Sequence, residues 1–121
     1  MDGNRATGAF YEGVAERYLT RKGVRIVDRN VYNRGGELDL IGHDQETLVF
    51  FEVRFRDQGS LVDPLSSITT QKQRKLLRAA SFYLHRHGLW DHPARIDVIG
   101  ITPGTTHRYR VQWVRNAIQM T

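Results

Sequence analysis

The 121-residue chain contains no cysteine. This absence excludes a disulfide framework, a thiolate zinc site and a cysteine nucleophile. No apolar run approaches the roughly 20 residues that a membrane-spanning helix needs. The first ten residues, MDGNRATGAF, also lack the apolar segment of a signal peptide. We therefore expect a soluble, cytoplasmic protein that does not associate with membranes.

Acidic residues are outnumbered by basic ones, 13 against 18, which gives a formal net charge of +5 and a pI of about 10.0. A basic balance of this size favours polyanionic partners, with nucleic acid first among them. Many small domains are basic for no specific reason, so charge alone leaves the partner open. The length suits one domain and is too short for two.

Hydrophobic periodicity predicts an α/β or α+β domain in which helices pack on a mixed β-sheet. The first helix is expected from residue 8 to 22, after a flexible arm at residues 1–7, so the domain proper spans 8–121. The second helix is expected to start between residues 67 and 70 and to end at Gly88. The expected strands are 24–32, 37–42, 47–55, 95–101 and 108–114.

Residues 35–56, GGELDLIGHDQETLVFFEVRFR, alternate apolar and charged side chains as a β-hairpin does. The polar loop at its centre sets a register in which Asp39 lies directly opposite Glu52. Glu37 lies on the same face as Asp39, and Arg54 shares the face of Glu52. Several charged groups therefore converge on one part of the predicted sheet.

Like charges opposite each other destabilise a sheet, and an ionised carboxylate in a central strand needs a partner. Arg54 and Arg56 offer ion pairs, in which case the acidic residues are structural. A divalent cation between Asp39 and Glu52 is the other solution, because Mg²⁺ takes one or two carboxylates, keeps waters and binds substrate phosphates. In a basic protein such a site indicates metal-dependent phosphodiester hydrolysis. The residues alone leave both interpretations open.

Two charged residues on the helices bear on this site. Glu12 lies at the border of the apolar stripe of the first helix, where periodicity by itself favours a solvated glutamate. A helix packed on the sheet would instead aim Glu12 at the sheet's edge. Lys72 lies in the opening turn of the second helix, where the helix dipole disfavours a cation. It is either solvated there or faces an anion.

The segments GAFYEGVAERYL, DRNVYNRGGELDLIG and LVFFEVRFR, followed by a basic helix and RIDVIGI, resemble the YraN family of uncharacterised bacterial proteins. These proteins are similar to Holliday junction resolvases in the PD-(D/E)xK nuclease superfamily. The resemblance runs from Gly8 to Ile101, and it depends on the order and spacing of the segments together.

The resemblance implies a single restriction-endonuclease-like domain, Mg²⁺ or Mn²⁺ as cofactor, and DNA, including branched DNA, as the partner. It implies that Asp39 and Glu52 are metal ligands and that Glu12 helps to hold the metal. Resolvase-like relatives are often dimers, so it also implies a homodimer. The residues expected to bind nucleic acid lie on the second helix and are Gln71, Lys72, Lys75 and Arg78.

Arg54 stands where the superfamily has lysine. Lysine can transfer a proton, whereas arginine keeps its charge, so Arg54 is expected to stabilise phosphate charge without acting as a general base. One hypothesis is a metal-dependent endonuclease whose catalytic residues are Glu12, Asp39, Glu52 and Arg54. The other is a non-catalytic nucleic-acid-binding module on a nuclease fold. Lys72 is a candidate to replace the lysine from the helix.

Overall fold

The computed structural model describes residues 2–56, 64–104, 106 and 108–120, with side chains described from residue 7 onward. A short 3-10 helix, Pro64–Ser67, precedes the second α-helix. Neither described helix combines the length and the apolar character needed to cross a membrane. The elements in chain order are α1 (Asp2–Arg21), β1 (Arg25–Asn33), β2 (Gly36–Asp44), β3 (Thr47–Phe55), α2 (Thr70–Arg86), β4 (Ala94–Pro103) and β5 (Tyr109–Ile118).

The five strands form one sheet in the order β1-β2-β3-β4-β5. β1, β2 and β3 are joined as antiparallel neighbours, β3 and β4 are parallel, and β5 pairs antiparallel with β4. Parallel neighbours need a crossover connection, and α2 lies in that crossover. The mixed sheet predicted from the sequence is therefore confirmed.

Successive strand residues point to opposite sides of the sheet, so each face can form its own core. Helix α2 packs on one face and α1 packs on the other. This three-layer α/β arrangement in one domain is the restriction-endonuclease-like architecture that was predicted. The core on the α2 side includes Leu38, Ile41, Phe50, Ile96 and Val98 of the sheet with Leu76, Ala80 and Tyr83 of the helix. The core on the α1 side includes Leu40, Val49, Phe51 and Ile99 of the sheet with Val14, Ala15 and Leu19 of the helix.

Several boundaries differ from the predicted ones. α1 begins at Asp2 and not at residue 8, where the apolar stripe starts, so backbone helix continues ahead of the residues that pack on the sheet. The division into an arm at 1–7 and a domain at 8–121 stays a prediction, and residues 57–63 lie outside the described residues. β5 runs to Ile118 and not to 114, because the pairing with β4 is irregular between Ile96 and Val98 and then resumes.

Gly35, in the turn between β1 and β2, lies against the backbone of α2. A Cβ at this position would lie 2.6 Å from the carbonyl carbon of Arg78 and would also overlap the backbone nitrogen of Ala79. Overpacking against backbone typically costs about 1–3 kcal/mol. We therefore expect Gly35→Ala to lower the free energy of unfolding by about that amount in urea denaturation.

Gly8 provides the matched control for this substitution. It lies within α1, and a Cβ there would meet no atom within 4 Å. Alanine is the better helix former by roughly 1 kcal/mol, so Gly8→Ala is expected to leave stability unchanged or raise it. Equal effects of the two substitutions would contradict close packing of the turn on α2.

Candidate metal centre and basic helix

The hairpin of β2 and β3 has the predicted register. Pairing runs from Asp44↔Thr47 to Leu40↔Phe51. Beyond Leu40 the next contact between the strands involves a side chain, since Oδ2 of Asp39 accepts a hydrogen bond of 3.0 Å from the amide nitrogen of Val53. This bond fixes the Asp39 carboxyl on β3, beside Glu52.

Glu52 is almost completely buried, with 3% of its surface exposed. Its Oε1 atom is enclosed and has no hydrogen-bond partner among the described residues. Burial, and after it the charge of Asp39, raises the pKa of Glu52 to about 8. Burial also raises the pKa of Asp39, against the lowering effect of the Val53 amide. Asp39 and Glu52 are therefore buried so close together that ionising both carboxyl groups at once is unfavourable.

Glu12, Glu37 and Asp39 each offer a carboxylate oxygen within 4.8 Å of the others. Helix α1 brings Glu12 to this point, so it is not the solvated glutamate that periodicity favoured. Burial and the charges of Asp39 and Glu37 raise the pKa of Glu12 to about 7. Glu37 was not among the predicted ligands, although its position two residues before Asp39 on the same strand face was the available signal.

Two cations approach Glu52 from different elements. Oε2 of Glu52 lies 3.7 Å from Nη1 of Arg54 and 3.8 Å from Nζ of Lys72. Arg54 is also tied to the 3-10 helix, where Nε donates to Oγ of Ser67 at 3.2 Å and Nη2 donates to its carbonyl at 3.1 Å. Arg54 is thus anchored to the scaffold, whereas the Lys72 ammonium pairs with Glu52 and also lowers the pKa of Asp39 through its charge.

The position of Lys72 explains its unfavourable place in the first turn of α2. Thr69 caps the helix, and its side chain accepts a hydrogen bond of 3.1 Å from the Lys72 amide. The side chain of Lys72 then reaches the anion that the sequence indicated, the Glu52 carboxylate. The other predicted nucleic-acid-binding residues on α2 are exposed and are Gln71, Lys75 and Arg78.

Asp97 shows how this fold treats a buried carboxylate that has a structural role. It is fully buried, and Arg95 Nε donates to it at 3.0 Å. Trp113 Nε1 and the Asn116 amide donate to the same carboxylate at 2.8 Å and 2.7 Å. Asp97 therefore accepts hydrogen bonds on both oxygens, whereas Oε1 of Glu52 has no partner among the described residues.

A model of the uncharacterised protein family UPF0102 matches residues 11–101. The chain belongs to the UPF0102 family. UPF0102 is the family of the YraN proteins, so the resemblance seen in the sequence is confirmed for the family. The matched residues include Glu12, Asp39, Glu52 and Lys72.

Relatives of this UPF0102 chain match it over nearly their whole length. A UPF0102 protein of Marinobacter nauticus is 68% identical over 118 residues, which cover 98% of this chain and 96% of the relative. One from Alcanivorax borkumensis is 46% identical, covering 92% and 90%. One from Nitrosococcus oceani is 42% identical, covering 97% and 94%. Their names give the family and no activity.

The acidic site of the UPF0102 chain has the properties of a site for a hard divalent cation. Its donors are carboxylate oxygens, which Mg²⁺ and Mn²⁺ prefer. Within the part of the chain that the structure describes, the buried Oε1 of Glu52 has no hydrogen-bond partner, a state that proteins generally avoid for a strong acceptor. Burial, and after it the charge of neighbouring carboxylates, raises the pKa of Glu12 and of Glu52, and a bound divalent cation would offset that charge. The residues present therefore fit such an ion.

Proposed function

We propose that this UPF0102 chain is a divalent-metal-dependent endonuclease that hydrolyses phosphodiester bonds in DNA, including branched DNA. The observation that carries the proposal is the buried Glu52 carboxyl, which lies against Asp39 and has one oxygen with no hydrogen-bond partner among the described residues. Nucleic acid as the partner is supported by the net charge of +5 and by the basic helix beside the site.

In this proposal Asp39 and the neighbouring Glu52 are the principal ligands. Glu12 and Glu37 would add to the site, because each has a carboxylate oxygen within 4.8 Å of one of Asp39. Mg²⁺ or Mn²⁺, when bound, would polarise the scissile phosphate and lower the pKa of the attacking water. The rigid β2–β3 hairpin keeps Asp39 in place through its bond to the Val53 amide. Preorganised ligands of this kind need no rearrangement when substrate arrives.

The cations have two different tasks. Lys72 and Arg54 lie beside Glu52, where they would balance charge that develops on the phosphate. Gln71, Lys75 and Arg78 lie exposed on α2, where they would bind the DNA backbone and position it. Binding by the second group is expected to weaken with rising salt, because phosphate contacts release counterions.

The non-catalytic alternative rested on Arg54 in place of a lysine. Lys72 weakens that alternative, because it supplies a lysine ammonium 3.8 Å from the second acidic residue. The purely structural alternative required Arg54 and Arg56 to compensate the acidic residues. Arg54 lies 3.7 Å from Oε2 of Glu52 but donates its hydrogen bonds to Ser67, and Oε1 of Glu52 has no hydrogen-bond partner among the described residues. This geometry supports a cation over a completed ion pair.

The test is cleavage of labelled duplex, single-stranded and four-way-junction DNA in Mg²⁺ or Mn²⁺. We expect the wild type to cut at least one of these substrates. Asp39→Asn should lower the rate at least about 100-fold, because a ligand is lost while the side-chain shape is kept.

Asp91→Asn is the matched control, since Asp91 is an exposed aspartate in the segment between α2 and β4. It should retain the wild-type rate. Equal rates for wild type and Asp39→Asn on every substrate would contradict the enzymatic proposal. Calorimetric titration with Mn²⁺ should then show whether the Asp39 carboxyl binds metal at all.

A further inference from the structure

A cleft of about 640 Å³ lies between β1 and the C-terminal half of α2. We call it the β1–α2 cleft and define it by Asp28, Tyr32, Arg34, Phe82 and Arg86, which line it. Its volume is within the range of ligand sites, roughly 300–1,000 Å³. The acidic cluster is not part of it, so its chemistry is separate from metal binding.

Two aromatic rings are presented to solvent at this cleft. Tyr32 is 73% exposed and Phe82 is 37% exposed. The Arg34 guanidinium lies 6.0 Å from the centre of the Phe82 ring. Aromatic rings with an adjacent arginine form the surface on which proteins stack the bases of single-stranded nucleic acid, since every base has a π-face.

The charge of the cleft suits the phosphates that accompany such a base. Arg34 and Arg86 bring positive charge, and Asp28 is the acidic residue among those that line the cleft. Asp28 also accepts a hydrogen bond of 3.4 Å from the Tyr83 hydroxyl, so part of its acceptor capacity is used within the protein. The cleft is thus aromatic and basic at once, which separates it from a simple apolar contact surface.

The cleft continues into the basic face of α2. Lys75, Arg78, Phe82 and Arg86 follow one another at intervals of three and four residues, which places them along one side of the helix. From Lys72 to Arg86 the helix rises about 20 Å, enough to follow several nucleotides. A strand that stacks on Phe82 can therefore extend along these cations to Lys72 and the acidic site.

The turn between β1 and β2 connects the two regions rigidly. Asn33 Nδ2 donates a hydrogen bond of 2.9 Å to the Ala79 carbonyl, which fixes the turn to α2. Arg34 follows Asn33 in this turn, and Glu37 of the acidic cluster comes soon after at the start of β2. The spacing between cleft and acidic site is therefore set by one short, anchored segment.

We propose that the β1–α2 cleft binds an unpaired DNA base, stacked on Phe82 and Tyr32, with Arg34 and Arg86 on the adjoining phosphates. The link to cleavage rests on the proposed nuclease function, whereas binding itself does not. The substrate class that follows is DNA with a single-stranded segment next to the cleavage position, such as a flap or a junction with an unpaired arm. Fully paired duplex would leave the stacking surface unused.

The experiment uses the full chain in EDTA, so that no cleavage can occur. A fluorescein-labelled ten-nucleotide oligothymidylate reports binding by anisotropy, and an oligonucleotide with one 2-aminopurine reports stacking through fluorescence quenching. We expect the double variant Tyr32→Ala/Phe82→Leu to bind about 10- to 100-fold more weakly and to lose the quenching. Phe82→Trp should keep both, because it retains an aromatic face.

Controls separate this site from general effects. Trp90→Leu removes an exposed ring that lines a different cavity and should leave Kd and quenching unchanged. Arg34→Ala should reduce the slope of log K against log salt by about 0.7, the value for one phosphate contact on a single strand. Arg17→Ala, on α1 across the sheet, should not change that slope.

The proposal is overturned if the double variant binds the oligonucleotide within twofold of the wild type, or if Trp90→Leu weakens binding equally. It is also overturned if the double variant changes only the sedimentation coefficient, since the cleft is then a contact between two copies. Wild type that stacks 2-aminopurine but cuts no DNA leaves this inference standing and contradicts the nuclease proposal. If cleavage of flapped DNA needs Asp39 but is as fast in the double variant as in the wild type, the nuclease proposal stands and this inference is contradicted.

Discussion

Lys72→Met is expected to lower metal-dependent DNA cleavage about 100- to 1,000-fold, whereas Arg54→Lys should retain most of the activity. The magnitude is that of removing one preorganised group from a developing negative charge. Lys72 reaches Glu52 from α2 at 3.8 Å. Its ammonium pairs with the carboxyl group of Glu52 and also interacts with that of Asp39 through its charge, and in the proposed reaction it would turn to a phosphate when metal and substrate enter.

Arg54 is expected to matter less for chemistry, because two of its three nitrogens are engaged by Ser67. Its bonds join β3 to the 3-10 helix ahead of α2, so its first task is to position that helix. Arg54→Lys keeps the charge near Glu52, and part of the anchoring is lost. We expect a moderate loss of stability and a change in rate of less than about tenfold.

These effects are measured as rates of DNA cleavage by the wild type and the two variants under single-turnover conditions with saturating protein. Lys75→Met is the matched control, since Lys75 is an exposed lysine one turn further along α2 and should weaken DNA binding without lowering the saturated rate. Lys72→Arg tests whether Lys72 acts through its charge or by transferring a proton, because arginine keeps the positive charge but does not give up a proton. An inactive Arg54→Lys protein beside an active Lys72→Met protein would assign the catalytic cation to β3.

Glu52→Gln is expected to make the metal-free protein more stable at pH 8.5, by an amount on the order of a few kcal/mol, while it removes metal binding. Glutamine keeps the shape of the buried side chain and never ionises. In the wild type, ionised Glu52 must coexist with Asp39 in a buried setting. An ordinary buried ion pair would give the opposite result, a loss of stability when one partner is removed.

The pH dependence follows from the raised pKa. Glu52 titrates at about 8 when folded and at its ordinary value of 4.5 when unfolded, and Glu12 at about 7 against 4.5. Between these limits the folded state holds protons that the unfolded state has released. The stabilisation that comes from these extra bound protons is fully present below pH 4.5. It is lost as the pH rises through the folded-state pKa values of Glu12 and Glu52. Wild type without metal should therefore lose stability from pH 5 to pH 8.5.

Urea denaturation in EDTA at pH 5 and pH 8.5 measures this difference. Glu52→Gln should equal the wild type at pH 5 and exceed it at pH 8.5. Added Mn²⁺ should restore the wild type at pH 8.5 and should not affect the variant, because only the native wild-type site binds it. A variant that is less stable than the wild type at both pH values would contradict a strained acidic site.

Glu16→Gln is the matched control. Glu16 is also a glutamate on α1, but it is partly exposed, and Arg29 donates to it and lowers its pKa. Its stabilising effect is present above the unfolded pKa, so the substitution should lower stability slightly at pH 8.5. Because this pair is largely exposed, the expected loss is less than about 1 kcal/mol.

Elements with a clear local signal were predictable from the sequence. The bounds of β3, Thr47–Phe55, follow from its apolar run, and the stripes of α1 and α2 predicted which faces are buried. The end of β5 was not predictable in the same way. Its pairing passes through an irregularity at Asp97, whose side chain accepts the Asn116 amide in place of a ladder bond.

The sequence by itself determined that Asp39 lies beside Glu52. A hairpin loop and a side-chain period of two fix that register without any other part of the protein. The same local rules placed Glu37 on the face of Asp39. They also showed that these carboxylates needed a compensating charge, and they left the choice between arginine and metal open.

Only the tertiary structure decided which distant groups meet at this hairpin. Glu12 arrives because α1 packs on one face of the sheet, and Lys72 arrives because α2 packs on the other. The orientation of each helix depends on how two whole surfaces fit together, which no local period encodes. The same packing encloses Oε1 of Glu52 with no hydrogen-bond partner among the described residues, and this supports the proposed cation site.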